Sequence, residues 1–199
     1  MAEAEPTSHK PRERMVFSAA QLIRRDGVAA TGMRDVVAHA GAPRGSLQHY
    51  FPGGKAQLVN EAVAWAGQYA ARRVGRFVAA LDERVPSALF AAMVAQWSDE
   101  LRDTGSLLGC PVAAATVDWA DCGESTRAAA ADAFAAWRGP VAGALGEMGV
   151  PEERTEALAT LMISALEGAI LLARAERDVR ALTTVARELG PLLDAAVVR

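Results

Sequence analysis

Apolar residues recur at helical spacing along most of this chain, and no stretch alternates apolar and polar positions as a half-buried strand would. Near the N-terminus, Val16, Ala19, Ala20 and Ile23 fall on one face of a helix, which is typical of a helix that packs one side against a core. Glycines and prolines lie between the periodic segments, where they end one helix and start the next. The sequence therefore predicts an all-α fold.

These stops divide the chain into predicted helices. We expect helices over Pro11 to Asp26, Met33 to Ala40, Pro43 to Phe51, Lys55 to Leu81 and Ser125 to Met148, and others starting at Pro86 and near Pro151 and Asp178. The stretch from Thr104 to Gly123 is predicted to be rich in loops, with one helical turn after Pro111.

Composition narrows the class of protein. With 51% hydrophobic and 23% charged residues, the chain is predicted to be neither disordered nor membrane-spanning. The polar start, Met1 to Lys10, lacks the apolar core of a signal peptide, so we expect a cytoplasmic protein with no membrane partner. Cys110 and Cys122 are too few for a disulfide framework or a thiolate metal site. We predict no cofactor and no metal.

Charge is distributed unevenly along the chain. The net charge is only −3, but residues 1–55 contain eight Lys and Arg against five Asp and Glu, and the remainder carries −6. Any contact with a polyanion is therefore expected in the N-terminal part.

Two short predicted helices joined through Gly41 form the pattern of a helix-turn-helix, in which the second helix enters the major groove of DNA. On that helix Leu47 points inward, and an outward side of short or hydrogen-bonding residues consists of Gly45, Ser46, Gln48 and His49. The amide of Gln48 can read adenine. Arg44 and Lys55 flank this side, where Arg44 can reach guanine or a phosphate and Lys55 can reach a phosphate. A helical pair with a glycine turn also occurs in proteins that never bind DNA.

The order of residues from Thr31 to Lys55 is a more specific signal of DNA binding than a helical pair with a glycine turn. It reads TGMRDVVAHAGAPRGSLQHYFPGGK and, with the helix before it, resembles the DNA-binding domain of TetR-family transcriptional regulators. The segments Phe51-Pro-Gly-Gly-Lys55 and Gly109-Cys-Pro-Val112 are similar to the LmrA/YxaF-like branch of that family. The resemblance implies a helix-turn-helix domain followed by a larger helical domain for ligand binding and dimerisation.

Carried over residue by residue, the resemblance implies two kinds of DNA contact. Phosphates would be bound by Thr31, Arg44 and Lys55. Bases or nearby backbone would be contacted by Gly45, Ser46, Gln48, His49 and Tyr50. Two positions depart from the usual pattern, since Pro43 replaces a frequent serine and Gln48 stands where an aromatic residue is frequent. The expected organisation is a flexible arm at 1–10, a DNA-binding domain at 11–55 and a ligand-binding and dimerisation domain at 56–199.

Bulky apolar residues concentrate after residue 60 and suggest a cavity between long helices. The candidate ligand-binding residues are Trp65, Met93, Trp97, Trp119, Phe134, Trp137, Met162 and Glu167. Core packing is the usual role of such apolar residues and is the alternative for them; for Glu167 the alternative is solvent exposure or a hydrogen bond at a helix end. Gln96 and Asp118 are further polar candidates, for which solvent exposure or a hydrogen bond at a helix end is the alternative.

The last two predicted helices carry small and apolar residues that would allow close helix packing between two subunits. The candidate interface consists of Leu158, Ala165, Gly168, Ala169, Val185, Leu189 and Leu193. Burial inside one subunit is the alternative.

These features predict a homodimeric repressor that a small hydrophobic effector releases from a palindromic DNA operator. An enzyme is not expected, because all three histidines lie in the first 49 residues and no nucleophile, histidine and acid can be grouped. A helical small-molecule carrier or adaptor without sequence-specific DNA binding is the alternative.

Overall fold

The computed structural model describes residues 10–43, 45–105, 108–119 and 123–198, without the side chain of Trp119. Nearly all of the predicted N-terminal arm lies outside these residues, as do Arg44 and Cys122. Helices make up most of the described part, which contains no strand, so the all-α prediction is confirmed. Its helices are α1 (Pro11–Ala30), α2 (Met33–His39), α3 (Ser46–Tyr50), α4 (Gly54–Ala80), α5 (Pro86–Asp103), α6 (Pro111–Trp119), α7 (Glu124–Glu147), α8 (Glu152–Glu176) and α9 (Arg180–Asp194).

The predicted stop at Gly27 is a break inside α1. Gly27 has φ 84° and ψ 169°, so the regular helix ends there and only a short helical segment follows up to Ala30. Glycine adopts positive φ without the steric cost that a Cβ would add.

The prediction for Thr104 to Gly123 is wrong in one respect, since α6 is a nine-residue helix rather than a single turn. It packs along α1 and buries Pro111, Val112 and Ala115. Val117 is 79% exposed, which hides the helical period from a pattern search because an apolar residue occupies the solvent side. Packing against α1 therefore favours a helix that the local pattern does not indicate.

The chain forms two compact units. The first, called the N-unit, comprises residues 1–68 and 110–134, and the second, called the C-unit, comprises 69–109 and 135–199. The N-unit contains α1 to α3, the first part of α4, α6 and the start of α7. The structural division thus falls inside α4 and α7, whereas the predicted functional division falls at residue 55.

Each unit has its own apolar core. In the N-unit Met15, Ile23 and Phe51 are at most 1% exposed. Side chains of α1 and of the end of α3 thus contribute to the same core. In the C-unit α5, α8 and α9 pack together, and their fully buried side chains include Leu89, Phe90, Met162, Leu166 and Leu193.

By length and apolar composition, α8 could span a membrane, alone among the described helices. However, 44% of its apolar stretch is buried inside the protein. A helix that packs into the core of its own unit explains this composition without a membrane.

Candidate nucleic-acid interface

The segment predicted as a helix-turn-helix has the expected turn. Gly41, after the end of α2, has φ 57°, and the N–H of Ala42 donates to the carbonyl of Val37 at 3.1 Å. The helix after the turn is shorter than predicted, since α3 covers Ser46–Tyr50 rather than Pro43 to Phe51. At its end the backbone leaves the helical conformation at Phe51 (φ −132°, ψ 68°), which accompanies the burial of this ring in the core.

The exposed side of α3 agrees with the predicted outward side. Gly45, Gln48 and His49 are exposed, whereas Ser46 and Tyr50 are half-buried. The Ser46 hydroxyl donates to the carbonyl of Pro43 at 2.6 Å, so it stabilises the start of the helix. The ring of His49 lies edge-on to that of Tyr50, with 5.0 Å between centroids. Gln48 thus has an exposed amide on a helix with a supported start.

A polar network holds the turn that follows α3. The Arg12 guanidinium pairs with Glu61 at 2.7 Å and lies 5.5 Å from the ring centroid of Phe51. Gln57 donates to Glu61 at 3.0 Å and accepts the N–H of Gly53 at 2.9 Å. These contacts tie the start of α1 and the first turns of α4 to the end of α3, so they hold the segment that presents the exposed side of α3.

Two contacts from α1 hold α2. The Arg14 side chain donates to the carbonyl of Ala40 at 3.1 Å, which places a cation at the negative end of the short helix. The ring Nδ1 of His39 lies 2.9 Å from the hydroxyl of the buried Ser18. His39 therefore fastens α2 to α1.

Residues 27–31, called here the α1–α2 junction, contain the next predicted site residue. Thr31 is only 5% exposed, and its hydroxyl donates to the carbonyl of Gly27 at 2.7 Å. A buried hydroxyl in an internal hydrogen bond closes the junction, and only its small exposed fraction is open to a phosphate. Lys55 is half-buried, and its ammonium donates to the carbonyl of Ala29 at 3.3 Å.

Asp118 of α6 also reaches the junction, and sequence reasoning did not assign it to the DNA-binding part. Its carboxylate accepts the N–H of Val28 at 2.7 Å. Both alternatives left open for Asp118 are seen: the residue is exposed, and its carboxylate accepts a backbone hydrogen bond at the end of a helix. Gly27, just before Val28, was the sign available in the sequence, because glycine is used where the backbone needs positive φ or where other atoms approach it closely.

An ion pair beside the junction, Arg25 with Asp26, shifts the pKa of its carboxyl group. Arg25 donates hydrogen bonds to both carboxylate oxygens of Asp26 at 2.7–3.0 Å. These hydrogen bonds lower the pKa of Asp26, so this exposed carboxylate stays charged.

The predicted ligand-binding residues are divided between the two units. Trp65, Trp119 and Phe134 belong to the N-unit, where Trp65 packs edge-on against Phe17 with 5.4 Å between centroids. In the C-unit Trp97 and Glu167 are half-buried, and the other members, Met93, Trp137 and Met162, are buried. A groove of about 540 Å³ lies between α5 and α9. None of the candidates lines it; its walls are Ser87, Ala88, Ala91, Ala186, Arg187, Gly190, Pro191 and Asp194.

The predicted interface residues also separate by burial. Leu158, Ala169, Leu189 and Leu193 are at most 9% exposed, so they pack inside the subunit, which is the alternative that the sequence left open. A side chain that its own subunit covers has almost no surface for a partner. The remaining members differ, since Gly168 is exposed and Ala165 and Val185 are half-exposed.

Metal-binding geometry is absent from the part of the chain that the structure describes. No three His, Cys, Asp or Glu side chains there come together as ligands.

Comparison with known proteins decides the family. A profile described as "Bacterial regulatory proteins, tetR family" matches residues 18–62, and one described as "Transcriptional regulator LmrA/YxaF-like, C-terminal domain" matches residues 86–188. The chain belongs to the TetR family. The resemblance of the Thr31 to Lys55 run and the assignment to the LmrA/YxaF-like branch are confirmed.

Related proteins align with this chain over nearly its whole length. An uncharacterized HTH-type transcriptional regulator of Mycobacterium tuberculosis is 43% identical over 188 residues, which cover 92% of this chain and 94% of that protein. The regulator YxaF of Bacillus subtilis is 31% identical, with 92% and 94% covered. A crystal structure of a TetR transcriptional regulator from Legionella pneumophila shares the fold, with a TM-score of 0.78, 21% identity and coverage of 94% and 99%. The TetR-family protein is thus a DNA-binding transcriptional regulator, and its family consists of regulators rather than enzymes.

Proposed function

We propose that this regulator is a homodimeric repressor that binds a palindromic operator and that a small hydrophobic effector releases. The single observation that carries the proposal is the exposed side of α3, where Gly45, Gln48 and His49 face solvent on a helix held by α1 and α4. A helix presented in this way fits the major groove, where base edges carry a distinct pattern of donors and acceptors. The protein would act in the cytoplasm, where the chromosome lies.

Within this proposal the side chains divide by task. The Gln48 amide pairs with adenine, and Gly45 lets the backbone approach closely. His49, Ser46 and Tyr50 contact bases or the nearby backbone. Lys55 and Arg44, the latter outside the described residues, bind phosphates. Thr31 contributes mainly by closing the junction, since its hydroxyl is bonded to the carbonyl of Gly27.

The dimer is inferred from an apolar stripe that the subunit leaves uncovered. Leu161, Gly168 and Leu172 are exposed on α8, and with Ala165 they repeat at i, i+4, i+7 and i+11, which is one helix face. On the adjoining α9, Leu192 is 65% exposed and lies two turns after Val185. Two copies of this face related by a two-fold axis would form a four-helix interface.

An effector of hydrophobic character is inferred from the side chains available in the C-unit. Trp97 is half-exposed beside a core that contains Met93, Trp137 and Met162. Such a ligand would change DNA binding only if it prefers a dimer in which the distance between the two α3 helices no longer equals one DNA turn or a multiple of it. To empty an almost fully occupied operator, the preference must reach about 10⁴-fold.

Binding to DNA is tested by fluorescence anisotropy with a duplex from the promoter of the protein's own gene, against a duplex of shuffled sequence. We expect preference for the promoter duplex at moderate salt. The double variant Arg44→Ala with Lys55→Ala should bind weakly and show a smaller salt slope, by roughly 0.9 for each phosphate that the variant no longer neutralises. Arg154→Ala, which removes an exposed arginine of α8, is the matched control and should bind as the wild type does.

Equal affinity for both duplexes would contradict the proposal and favour a carrier or adaptor. Repression is tested separately with a reporter gene behind the same promoter. Expression should be lower with the wild-type protein than with the double variant, and the opposite order would indicate an activator.

A further inference from the structure

Asp118 lies outside the helices that were predicted to bind DNA, but its carboxylate binds the backbone of the α1–α2 junction. It lies in the last turn of α6, and one carboxylate oxygen, Oδ2, is 2.7 Å from the N of Val28 and 3.5 Å from the N of Ala29. Both N–H groups belong to the α1–α2 junction. An acceptor from α6 thus satisfies backbone donors ninety positions earlier in the chain.

The backbone of the junction is shaped to receive this carboxylate. Gly27 has φ 84°, and a Cβ at this position would lie 2.6 Å from Asp118 Oδ2. Only glycine combines this conformation with room for the oxygen. The charge also lies at the negative end of α6, where a carboxylate is unfavourable unless other donors compensate it. The two junction N–H groups provide that compensation.

The same two peptide groups are held on their opposite side by Thr31. The carbonyl of Gly27 accepts the Thr31 hydroxyl at 2.7 Å, and the carbonyl of Val28 accepts the Thr31 N–H at 3.2 Å. Because a peptide group is planar, fixing its N–H with Asp118 and its carbonyl with Thr31 sets its orientation. The next carbonyl, that of Ala29, accepts the Lys55 ammonium at 3.3 Å.

We propose that Asp118 is a positioning residue for DNA binding: by orienting the α1–α2 junction, it sets the place of the Lys55 ammonium and the entry of the chain into α2. The inference rests on the proposed DNA-binding function. It assigns to α6, a helix of the predicted ligand-binding domain, a direct part in forming the DNA-binding surface.

The test compares Asp118→Ala and Asp118→Asn with Asp132→Asn, which removes the same charge from an exposed position of α7 in the N-unit. With the promoter duplex, Asp118→Ala should bind roughly tenfold more weakly, the scale of one charge-assisted hydrogen bond, with a smaller salt slope. Asp118→Asn keeps one acceptor oxygen and should fall between. Asp132→Asn should bind at least as well as the wild type, because it loses a negative charge.

A double-mutant cycle with Lys55→Ala separates positioning from general destabilisation. If Asp118 acts through Lys55, the two decreases in affinity are less than additive. Additive decreases would overturn the part of the inference that concerns Lys55, and tighter binding of Asp118→Ala by the factor seen for Asp132→Asn would overturn all of it.

Amide hydrogen exchange of the free protein gives a readout that needs no DNA. The amides of Val28 and Ala29 should exchange faster in Asp118→Asn than in the wild type. Unchanged exchange at both amides would overturn the inference even if Asp118→Ala does not fold. Failure of the wild type to prefer the promoter duplex contradicts instead the proposed function, so the two failures are distinguishable.

Discussion

Gln48 and Lys55 illustrate how residues of the DNA-binding surface differ in the information they carry. Gln48 is exposed on α3, and its amide can pair with a base edge. Lys55 is tied to the carbonyl of Ala29 at the start of α4 and can offer its charge to a phosphate. A base contact changes sequence preference, whereas a phosphate contact changes affinity for every sequence.

Replacing Gln48 should therefore relax base preference and leave the salt dependence unchanged. We expect Gln48→Ala to weaken binding to the promoter duplex by about 1–3 kcal/mol, the worth of one bidentate base contact. Anisotropy titrations with a set of single base-pair variants measure this decrease, and the variant should distinguish them less well. Gln68→Ala, an exposed glutamine on α4, is the control. A reduced salt slope in Gln48→Ala would instead indicate a phosphate contact.

At the level of elements, close helix contacts depend on single small residues. Gly67 of α4 faces α7 so closely that a Cβ would lie 2.7 Å from the Cα, Cβ and O atoms of Ala133. A hydrogen bond from the buried Thr126 hydroxyl to Asn60 at 2.8 Å joins the same two helices. The N-unit therefore needs a glycine at this crossing.

Gly67→Ala should destabilise the protein, because an added methyl group forces the backbones of α4 and α7 apart. Overpacking of this kind costs about 1–3 kcal/mol, which lowers Tm by roughly 2–12 °C in a chain of this size. Thermal unfolding followed by circular dichroism at 222 nm measures the change. The control is Gly75→Ala on the same helix, where a Cβ would meet nothing within 4 Å. It should leave Tm unchanged or raise it. An equal change of Tm in both variants would show that α4 and α7 have room for a methyl group at Gly67.

At the level of the whole molecule, two functions are expected at opposite ends of the chain. Residues 1–55 carry a net positive charge, and the rest of the chain carries a net negative charge. The uncovered apolar stripe of α8 and α9 lies in the C-unit. A two-fold operator requires two copies of α3, spaced by about 34–36 Å or a multiple of it, so dimerisation and affinity are coupled.

Leu172→Glu should disrupt the dimer, because a carboxylate on the stripe would be buried in the interface without a partner. Sedimentation velocity should show the mass of a single chain where the wild type shows twice that mass. Affinity for the promoter duplex should fall together with dimerisation. Val198→Glu replaces an apolar residue that is 69% exposed but outside the stripe, and it should remain dimeric. A dimeric Leu172→Glu variant would place the interface elsewhere.

The sequence by itself determined the helical class, most helix positions, the turn at Gly41 and the outward side of α3. These features depend on neighbours in the chain: helical spacing of apolar residues, glycine at positive φ and proline at helix starts. The family followed from one contiguous run, Thr31 to Lys55, for the same reason.

Only the tertiary structure decided which of several allowed roles each residue has. The sequence placed Leu193 in the candidate interface and did not single out Leu172, but the first is fully buried and the second is 54% exposed. The helical state of α6 depends on packing against α1, and the role of Asp118 depends on backbone groups ninety positions away. Such choices are made by the chain folding back on itself, where burial and hydrogen bonds join segments that no local pattern connects.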